Sequence, residues 1–213
     1  MSQNFQRARN DKDRETRKQI ILDSAASLLD LKNSALPSVA QIVEKAGLAK
    51  GTFYLYFATK EEVYLALMAD GFSRWIELIK KDLQNKKALD FILKSYCMFC
   101  GKHPQVLHLA VIAPTILEQN ISLEIAYAHK KYLAAEVAVI SGLIVTNFPQ
   151  LDFEKARRLF LSTYAMTLGL WMHCHPPAIA EKILKKKEMA ILKVDFAEEL
   201  FSSLTALWSG CMS

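Results

Sequence analysis

Residues 38–57 read SVAQIVEKAGLAKGTFYLYF, a stretch that divides into two short helices meeting at a glycine. Ser38 and Gln41 have the spacing of a capping box, in which each side chain bonds a backbone N–H that the first helical turn leaves unpaired. The first helix is therefore expected to begin at Val39. Gly47 follows it, where a left-handed cap favours a residue without Cβ. Two helices joined by so short a turn form a helix-turn-helix.

The second helix of this motif is predicted to run from about Ala49 to Phe57, with one aromatic face turned inward. In a helix-turn-helix this element enters the major groove of DNA with its N-terminal residues near the base edges. Gly51 would let the backbone come close to the groove. The outward residues near the start of the helix are the candidates for reading bases: Lys50, Thr52 and Tyr54.

These residues closely resemble the pattern of the tetracycline-repressor (TetR) family of bacterial regulators. That pattern runs approximately I-A-x-x-A-G-x-x-K-G-T-x-Y-x-Y-F-x-x-K-E, and matches at so many fixed spacings are highly specific. The matching residues are Ile42, Val43, Ala46, Gly47, Lys50, Gly51, Thr52, Tyr54, Tyr56, Phe57, Lys60 and Glu61. The resemblance implies a homodimer that blocks transcription at a palindromic operator until a small molecule binds the C-terminal domain.

Three positions depart from the family pattern. Ala49 stands where a capping serine is common, Leu55 where a polar residue is frequent, and Ala40 where a family member places a base-reading arginine. The operator of a relative therefore cannot be assumed for this chain. Helix positions and resemblance together predict DNA contacts from seven residues: Ser38, Lys50, Gly51, Thr52, Tyr54, Tyr56 and Lys60. Among these, Lys60 matches the family's phosphate-contacting lysine.

Length and charge fit one small DNA-binding unit joined to a larger helical unit. A chain of 213 residues, 52% of them hydrophobic, can bury a sizeable core. Residues 1–60 carry ten Lys or Arg and six Asp or Glu, a net charge of +4. The rest of the chain carries 17 and 16, a net charge of +1. The excess positive charge thus lies at the end expected to meet the phosphate backbone.

Apolar periodicity predicts an all-α chain in three segments. Residues 1–13 are interpreted as a mobile basic arm, for which a DNA contact and no role at all remain open. Residues 14–60 form the predicted three-helix DNA-binding domain, with a bracing helix from about Arg14 to Leu31. Residues 61–213 form the predicted helical ligand-binding and dimerisation domain, which begins with one long connecting helix.

Further helices of the second domain are predicted at about 88–101, 104–112, 122–145 and 153–174. Gly71, inside the connecting helix, is interpreted as a residue that permits close packing rather than as a hinge. The final helix, opened by Asp195, carries a continuous apolar stripe. Together with the helix that contains Ser162, Ala165 and Gly169, this stripe is the candidate subunit interface. An ordinary intramolecular core is the alternative, because periodicity cannot distinguish the two.

Aromatic residues of the second domain are candidates to line a ligand cavity between helices, with core packing as the alternative at each position. Their character predicts an apolar or aromatic effector. The candidate residues are Trp75, Phe99, Tyr127, Tyr164 and Trp171.

A second function class rests on Cys97, Cys100 and His103, with the Cys/His segment 173–175, which invite a metal- or thiol-redox-binding role. Their spacing is weak evidence, and cysteine in an apolar helix is commonly a small hydrophobe. Neither a Gly-rich phosphate loop nor G-x-S-x-G occurs, so the sequence predicts no enzyme, cofactor or metal site. The charged N-terminus and the lack of a membrane-length apolar run favour a reduced, cytoplasmic setting.

Overall fold

The computed structural model describes residues 2–32 and 35–212, with side chains from Asp13 onward, and all regular structure in this part is helical. A π-helical turn, Ala113–Leu117, and a 3₁₀ segment, Lys187–Leu192, accompany the α-helices. The predicted all-α class is confirmed. The α-helices are α1 Ser2–Leu28, α2 Val39–Ala46, α3 Lys50–Phe53, α4 Lys60–Gln84, α5 Leu89–Lys102, α6 Pro104–Ile112, α7 Leu123–Asn147, α8 Phe153–Cys174, α9 Ala178–Leu184 and α10 Phe196–Met212.

Helices α1 to α3 pack with the first turns of α4 as a small unit. Ile21 of α1, Ile42 of α2 and Phe53 of α3 are fully buried in its core. The Tyr64 hydroxyl of α4 donates to the Ala25 carbonyl of α1 at 3.4 Å. This packing fixes the helix-turn-helix on the start of α4.

Helix α1 differs from the expected bracing helix, because it begins at Ser2 rather than near Arg14 and ends at Leu28 rather than Leu31. The added segment is rich in Gln, Arg and Lys, which have good helix propensity even without an apolar face. The side chains of residues 1–12 lie outside the described part of the structure. The DNA contact considered for the basic arm therefore stays a prediction.

Helix α4 is a continuous 25-residue rod, about 37 Å long at 1.5 Å per residue. Thr59 caps it by accepting from the Glu62 N–H at 3.2 Å, while the Glu62 carboxylate accepts from the Ala58 N–H at 2.8 Å. Its second half, including Trp75 and Ile79, is buried among the C-terminal helices. One rigid element is thus shared by the helix-turn-helix unit and the C-terminal bundle.

Gly71 lies where α4 passes close to α6. A Cβ at this position would lie 3.1 Å from Val106 Cγ1 and closer still to Val106 Cγ2. The glycine therefore permits the close approach of two helices, and the interpretation of Gly71 as a packing residue is confirmed.

Helices α5 to α8 confirm the four predicted helices, with bounds within two residues of those expected. The stripe on α10 is different, because Leu200, Leu204 and Trp208 are buried within the chain against α5 and α8. The Trp208 indole N–H donates to the Thr163 hydroxyl oxygen at 2.9 Å. For Leu200, Leu204 and Trp208 the intramolecular alternative therefore holds, whereas Phe196, Phe201 and Leu207 stay partly exposed and an interface on α10 remains a prediction. No helix among residues 2–32 and 35–212 is long and apolar enough to cross a membrane.

Candidate DNA-binding surface and ligand cavity

The first helix of the motif is fixed by the capping box predicted from the sequence. The Ser38 hydroxyl accepts from the Gln41 N–H at 3.3 Å and donates to Gln41 Oε1 at 2.9 Å. Gln41 Oε1 also accepts from the Ser38 N–H at 2.9 Å, which completes the reciprocal pair. Gly47 ends the helix at φ 64°, in the left-handed region that glycine tolerates best. The hydroxyl of Ser38 is occupied by these capping bonds. A DNA contact from Ser38 stays a prediction.

Helix α3 is shorter than predicted, because it ends at Phe53 rather than Phe57. Ala49 precedes it without a side-chain cap, as the departure from the family pattern led us to expect. Beyond Phe53 the chain continues in tighter i→i−3 bonds, Leu55 N–H to the Thr52 carbonyl and Tyr56 N–H to the Phe53 carbonyl. Gly51 and Thr52, two of the four residues of α3, are weak helix formers, in keeping with its short length.

The outward face of α3 presents the residues expected to meet DNA. Lys50 and Gly51 are exposed, Tyr54 is half exposed, and Thr52 is partly buried. Leu55, at 69% exposure, extends this surface with an apolar side chain. Lys50, Gly51 and Tyr54 are thus accessible to DNA and Thr52 less so, and base reading by Lys50, Thr52 and Tyr54 stays a prediction.

Lys60 has an internal partner. Its ammonium donates to the Leu36 carbonyl at 3.3 Å, which joins the start of α4 to the segment before α2. An ammonium has three N–H donors, so this bond leaves capacity for a phosphate oxygen. Lys60 is thus held at the motif by a contact that sequence reasoning did not predict.

Two arginines near the recognition helix were not identified from the sequence as candidate DNA contacts. Arg14 and Arg17 of α1 are exposed and line a shallow groove together with Asp13, Leu55 and Tyr56. Their i, i+3 spacing on a predicted helix was the available signal. Which surface that helix faces depends on how α1 crosses the motif, and the pattern of a single helix does not reveal it.

A cavity of about 200 Å³ lies between α4, α5, α7 and α8. It is comparable to the engineered apolar cavity of about 150 Å³ that admits benzene, so it can hold a small organic molecule. Its surface is mostly apolar. The wall consists of Phe72, Trp75, Ile76, Ile79, Tyr96, Lys130, Leu133, Glu136, Val137, Ile140, Phe160, Leu161 and Tyr164.

Only some of the five residues expected to line a ligand site belong to the wall of this cavity. Trp75 and Tyr164 belong to the cavity wall, and Phe99 stacks on Trp75 with ring centroids 5.5 Å apart. Tyr127 is 66% exposed on α7, and Trp171 is buried against the His175 ring at the end of α8. Phe99, Tyr127 and Trp171 therefore lie outside the wall, with Phe99 directly behind Trp75.

Two charged residues of the wall were not predicted from the sequence. Lys130 Nζ lies 2.6 Å from Glu118 Oε1, and Glu136 Oε2 lies 3.2 Å from Lys80 Nζ. A charged residue on an amphipathic helix normally indicates a solvated face, so the sequence carries no signal that these two border a cavity. Both charges have opposite partners, which makes the wall compatible with an apolar ligand.

The cysteines have the properties of packing residues. Burial raises the pKa of the Cys97 thiol to about 11 and that of the Cys100 thiol further still. Both groups are therefore protonated thiols, which are poor nucleophiles and poor metal ligands. Within the described ranges no three His, Cys, Asp or Glu side chains are grouped so as to hold a metal ion. These features give no support to the metal- or thiol-redox alternative.

A helix-turn-helix joined by one rigid helix to a bundle with an apolar cavity defines a ligand-responsive DNA-binding regulator. The chain belongs to the tetR family of bacterial regulatory proteins. Residues 21–67 match the family model described as "Bacterial regulatory proteins, tetR family". Residues 69–213 match the model described as "Tetracyclin repressor-like, C-terminal domain". The resemblance seen in the motif is thus confirmed along almost the whole chain.

Similar proteins are transcriptional regulators. The fatty acid metabolism regulator protein of Bacillus subtilis is 25% identical over 163 residues, which cover 71% of this chain and 81% of that protein. The HTH-type transcriptional regulator EthR of Mycolicibacterium smegmatis is 33% identical over 159 residues, covering 67% of this chain and 70% of that protein. Among solved structures, FadR from Bacillus subtilis in complex with stearoyl-CoA has a similar fold, with a TM-score of 0.58 at 21% identity. That match covers 90% of this chain and 98% of the FadR chain.

Proposed function

We propose that this regulator is a homodimeric repressor that leaves a palindromic DNA operator when a small apolar ligand occupies the cavity. The observation that carries the proposal is α4, whose first turns pack against the helix-turn-helix and whose second half forms a wall of the cavity. A ligand that fits one orientation of α4 better than another changes the population of DNA-binding shapes, and such differential affinity is all that induction requires.

In this proposal the DNA-binding domain spans residues 14–60 and reads its operator through α3. Lys50, Thr52 and Tyr54 contact base edges, with Gly51 allowing close approach. Lys60 and Tyr56 contact phosphates, and the missed Arg14 and Arg17 add charge beside them. Ser38 contributes at the start of α2.

Dimerisation through residues 61–213 is proposed to use the exposed face of α8. Ser162, Ala165 and Gly169 are exposed at helical spacing on this face, and a Cβ at Gly169 would meet nothing within 4 Å. Small side chains permit another helix to approach closely. Two copies must place their recognition helices about 34–36 Å apart to enter successive major grooves.

The ligand is proposed to be apolar and of modest size. The cavity wall is dominated by aromatic and branched aliphatic side chains, and its volume of about 200 Å³ limits what fits without movement. The similar FadR structure is described with stearoyl-CoA. An acyl chain matches the lining here, and a medium-length chain fits a cavity of this volume better than a long one.

The test begins with selection of bound sequences from a random pool of duplex DNA, followed by titration of the selected site. We expect an inverted repeat, weakened binding in the presence of octan-1-ol or octanoate, and two protomers per site. A recovered pool without inverted symmetry, or binding that neither compound changes, would contradict the proposal.

Variants on α7 separate cavity occupancy from general effects. Val137→Phe fills the cavity from its wall, so the variant should bind the operator and no longer respond to either compound. Val139→Phe adds the same ring on the half-exposed side of the helix and should respond as the wild type does. Equal responses of the two variants would place the ligand elsewhere.

A further inference from the structure

We propose that the Glu118–Lys130 ion pair senses an anionic group on the ligand, and that the turn carrying Glu118 transmits this event to the helix-turn-helix. The inference rests on the proposed function, since it concerns the ligand of the same cavity. It adds a chemical class for that ligand, an apolar chain with an anionic group, and a named route to the DNA-binding unit.

Lys130 is suited to receive an anion because it borders the cavity and its present partner is weakly held. Its side chain is 58% exposed, and that of Glu118 is 23% exposed, with 2.6 Å between Nζ and Oε1. Because Lys130 is more than half exposed, water screens its charge and the pair with Glu118 adds little stability, so a carboxylate on the ligand can compete with Glu118 for the ammonium.

Glu136, the other charged residue of the cavity wall, is less available to a cationic ligand. Glu136 Oε2 lies 3.2 Å from Lys80 Nζ, and both side chains are largely buried. Lys80 also pairs with Glu77 at 2.8 Å. A cationic ligand would have to displace Lys80 from two carboxylates, whereas an anionic ligand meets Lys130, which is 58% exposed and has one carboxylate partner in this pair.

The turn that carries Glu118 is tied together by its backbone. The Glu118 N–H donates to the Ala113 carbonyl at 2.9 Å across the π-helical turn. The Asn120 N–H donates to the Leu117 carbonyl at 3.2 Å, and the Leu117 side chain is fully buried. Glu118 and Asn120 thus belong to one short turn, two residues apart in the chain, through which the proposed movement of Glu118 reaches Asn120.

Asn120 in turn contacts the junction between the two units of the chain. Its carbonyl accepts a hydrogen bond from the Thr59 hydroxyl at 3.0 Å, between residues 61 positions apart in the sequence. The same hydroxyl oxygen caps α4 by accepting from the Glu62 N–H. Thr59 directly follows the helix-turn-helix, so a movement of Asn120 acts on the first turn of α4, where the motif is anchored.

The first experiment compares three probes of one chain length on the full-length protein: octanoate, octan-1-ol and octylamine. Calorimetry gives their affinities, and titration of the selected operator gives their effects on DNA binding. We expect octanoate to bind best and to weaken operator binding by about 5- to 150-fold, the usual range of allosteric coupling. An equal effect of octan-1-ol, a stronger effect of octylamine, or no binding of octanoate would each overturn the inference.

Charge exchange provides a sharper test, because it keeps an ion pair while reversing the charge offered to the ligand. The double variant Glu118→Lys/Lys130→Glu should respond to octylamine instead of octanoate, measured as the ratio of operator affinities without and with each compound. The single variant Lys130→Met should lose the preference for octanoate over octan-1-ol. Retention of the wild-type preference by either variant would contradict a role for Lys130.

The contact at Thr59 is tested by two substitutions that both keep the helix cap. Thr59→Ser retains the cap and the hydroxyl donor, whereas Thr59→Asp caps well but has no hydrogen to give to Asn120. The quantity measured is the ratio of operator affinities without and with octanoate, which cancels the effect of the added charge on DNA. We expect the serine variant to keep the wild-type ratio and the aspartate variant to lose most of it. Equal ratios would overturn the transmission route.

Failure of the proposed function gives a different result from failure of this inference. A wild-type protein that binds no operator would contradict the proposed function, while calorimetry with the three probes would still decide whether Lys130 selects an anion. A protein that octan-1-ol and octanoate release equally would support the proposed function and contradict the inference.

Discussion

Replacing Gly71 by alanine is expected to destabilise the fold, although alanine is the better helix former. The added Cβ would lie 3.1 Å from Val106 Cγ1 and closer to Cγ2, and Val106 is 2% exposed and β-branched, so it has little freedom to turn away. Overpacking of this kind costs about 1–3 kcal/mol. The better helix propensity of alanine offsets about 1 kcal/mol of this destabilisation. The net loss is therefore about 0–2 kcal/mol.

A double-mutant cycle with Val106→Ala makes this prediction decisive. Once the valine methyl groups are removed, only the Cβ at position 106 remains close, at 3.3 Å, so Gly71→Ala should be neutral or stabilise the protein by up to about 1 kcal/mol, and the coupling between the two sites amounts to about 1–3 kcal/mol. Urea unfolding followed by far-UV circular dichroism, at one protein concentration, measures all four variants. Effects that add to within about 0.5 kcal/mol would show that α4 and α6 are not in close contact at Gly71.

Four further predictions concern DNA binding, assembly and pH. Lys60→Ala should weaken binding to all DNA sequences and lower the log–log slope of affinity against salt by about one unit, an outcome that titrations at several salt concentrations check. Lys50→Ala should relax the sequence preference at particular operator positions, and an unchanged selected sequence would contradict base reading. Leu204→Glu buries a charge in the core and should unfold the C-terminal bundle rather than yield folded monomers, which circular dichroism and sedimentation distinguish. Burial lowers the pKa of His108, so the folded state binds fewer protons than the unfolded state, and stability should fall as the pH drops below about 6.5. His108→Gln should flatten this fall in urea unfolding at pH 7.5 and 5.5, and an equally steep fall in the variant would contradict the assignment.

Features set by local chemistry could be predicted from the sequence. The capping box of Ser38 and Gln41 and the left-handed Gly47 depend on residues within one helical turn of each other, and both are present. The four helices after α4 follow from apolar periodicity and from the prolines and glycines between them. The family pattern then supplies what periodicity alone does not, namely that this motif binds DNA.

Features set by the arrangement of helices could not be predicted in the same way. The stripe of Leu204 and Trp208 has the same 3.6-residue period whether it faces another subunit or the same chain, and here it faces α5 and α8. Lys130 has no sequence signal of its own, because its place beside the cavity depends on how α7 crosses α4. The aromatic character of Trp171 likewise does not indicate which helices surround it.

The most direct measurement of the central account compares octanoate binding to the free protein with binding to the protein saturated with its operator. If the cavity and the helix-turn-helix are linked through α4, the operator must weaken octanoate binding by the same factor by which octanoate weakens operator binding, because thermodynamic coupling is reciprocal. Calorimetry with and without a saturating operator duplex gives this factor. We expect matching factors of about 5- to 150-fold. Octanoate that binds free and operator-bound protein with equal affinity would contradict the account.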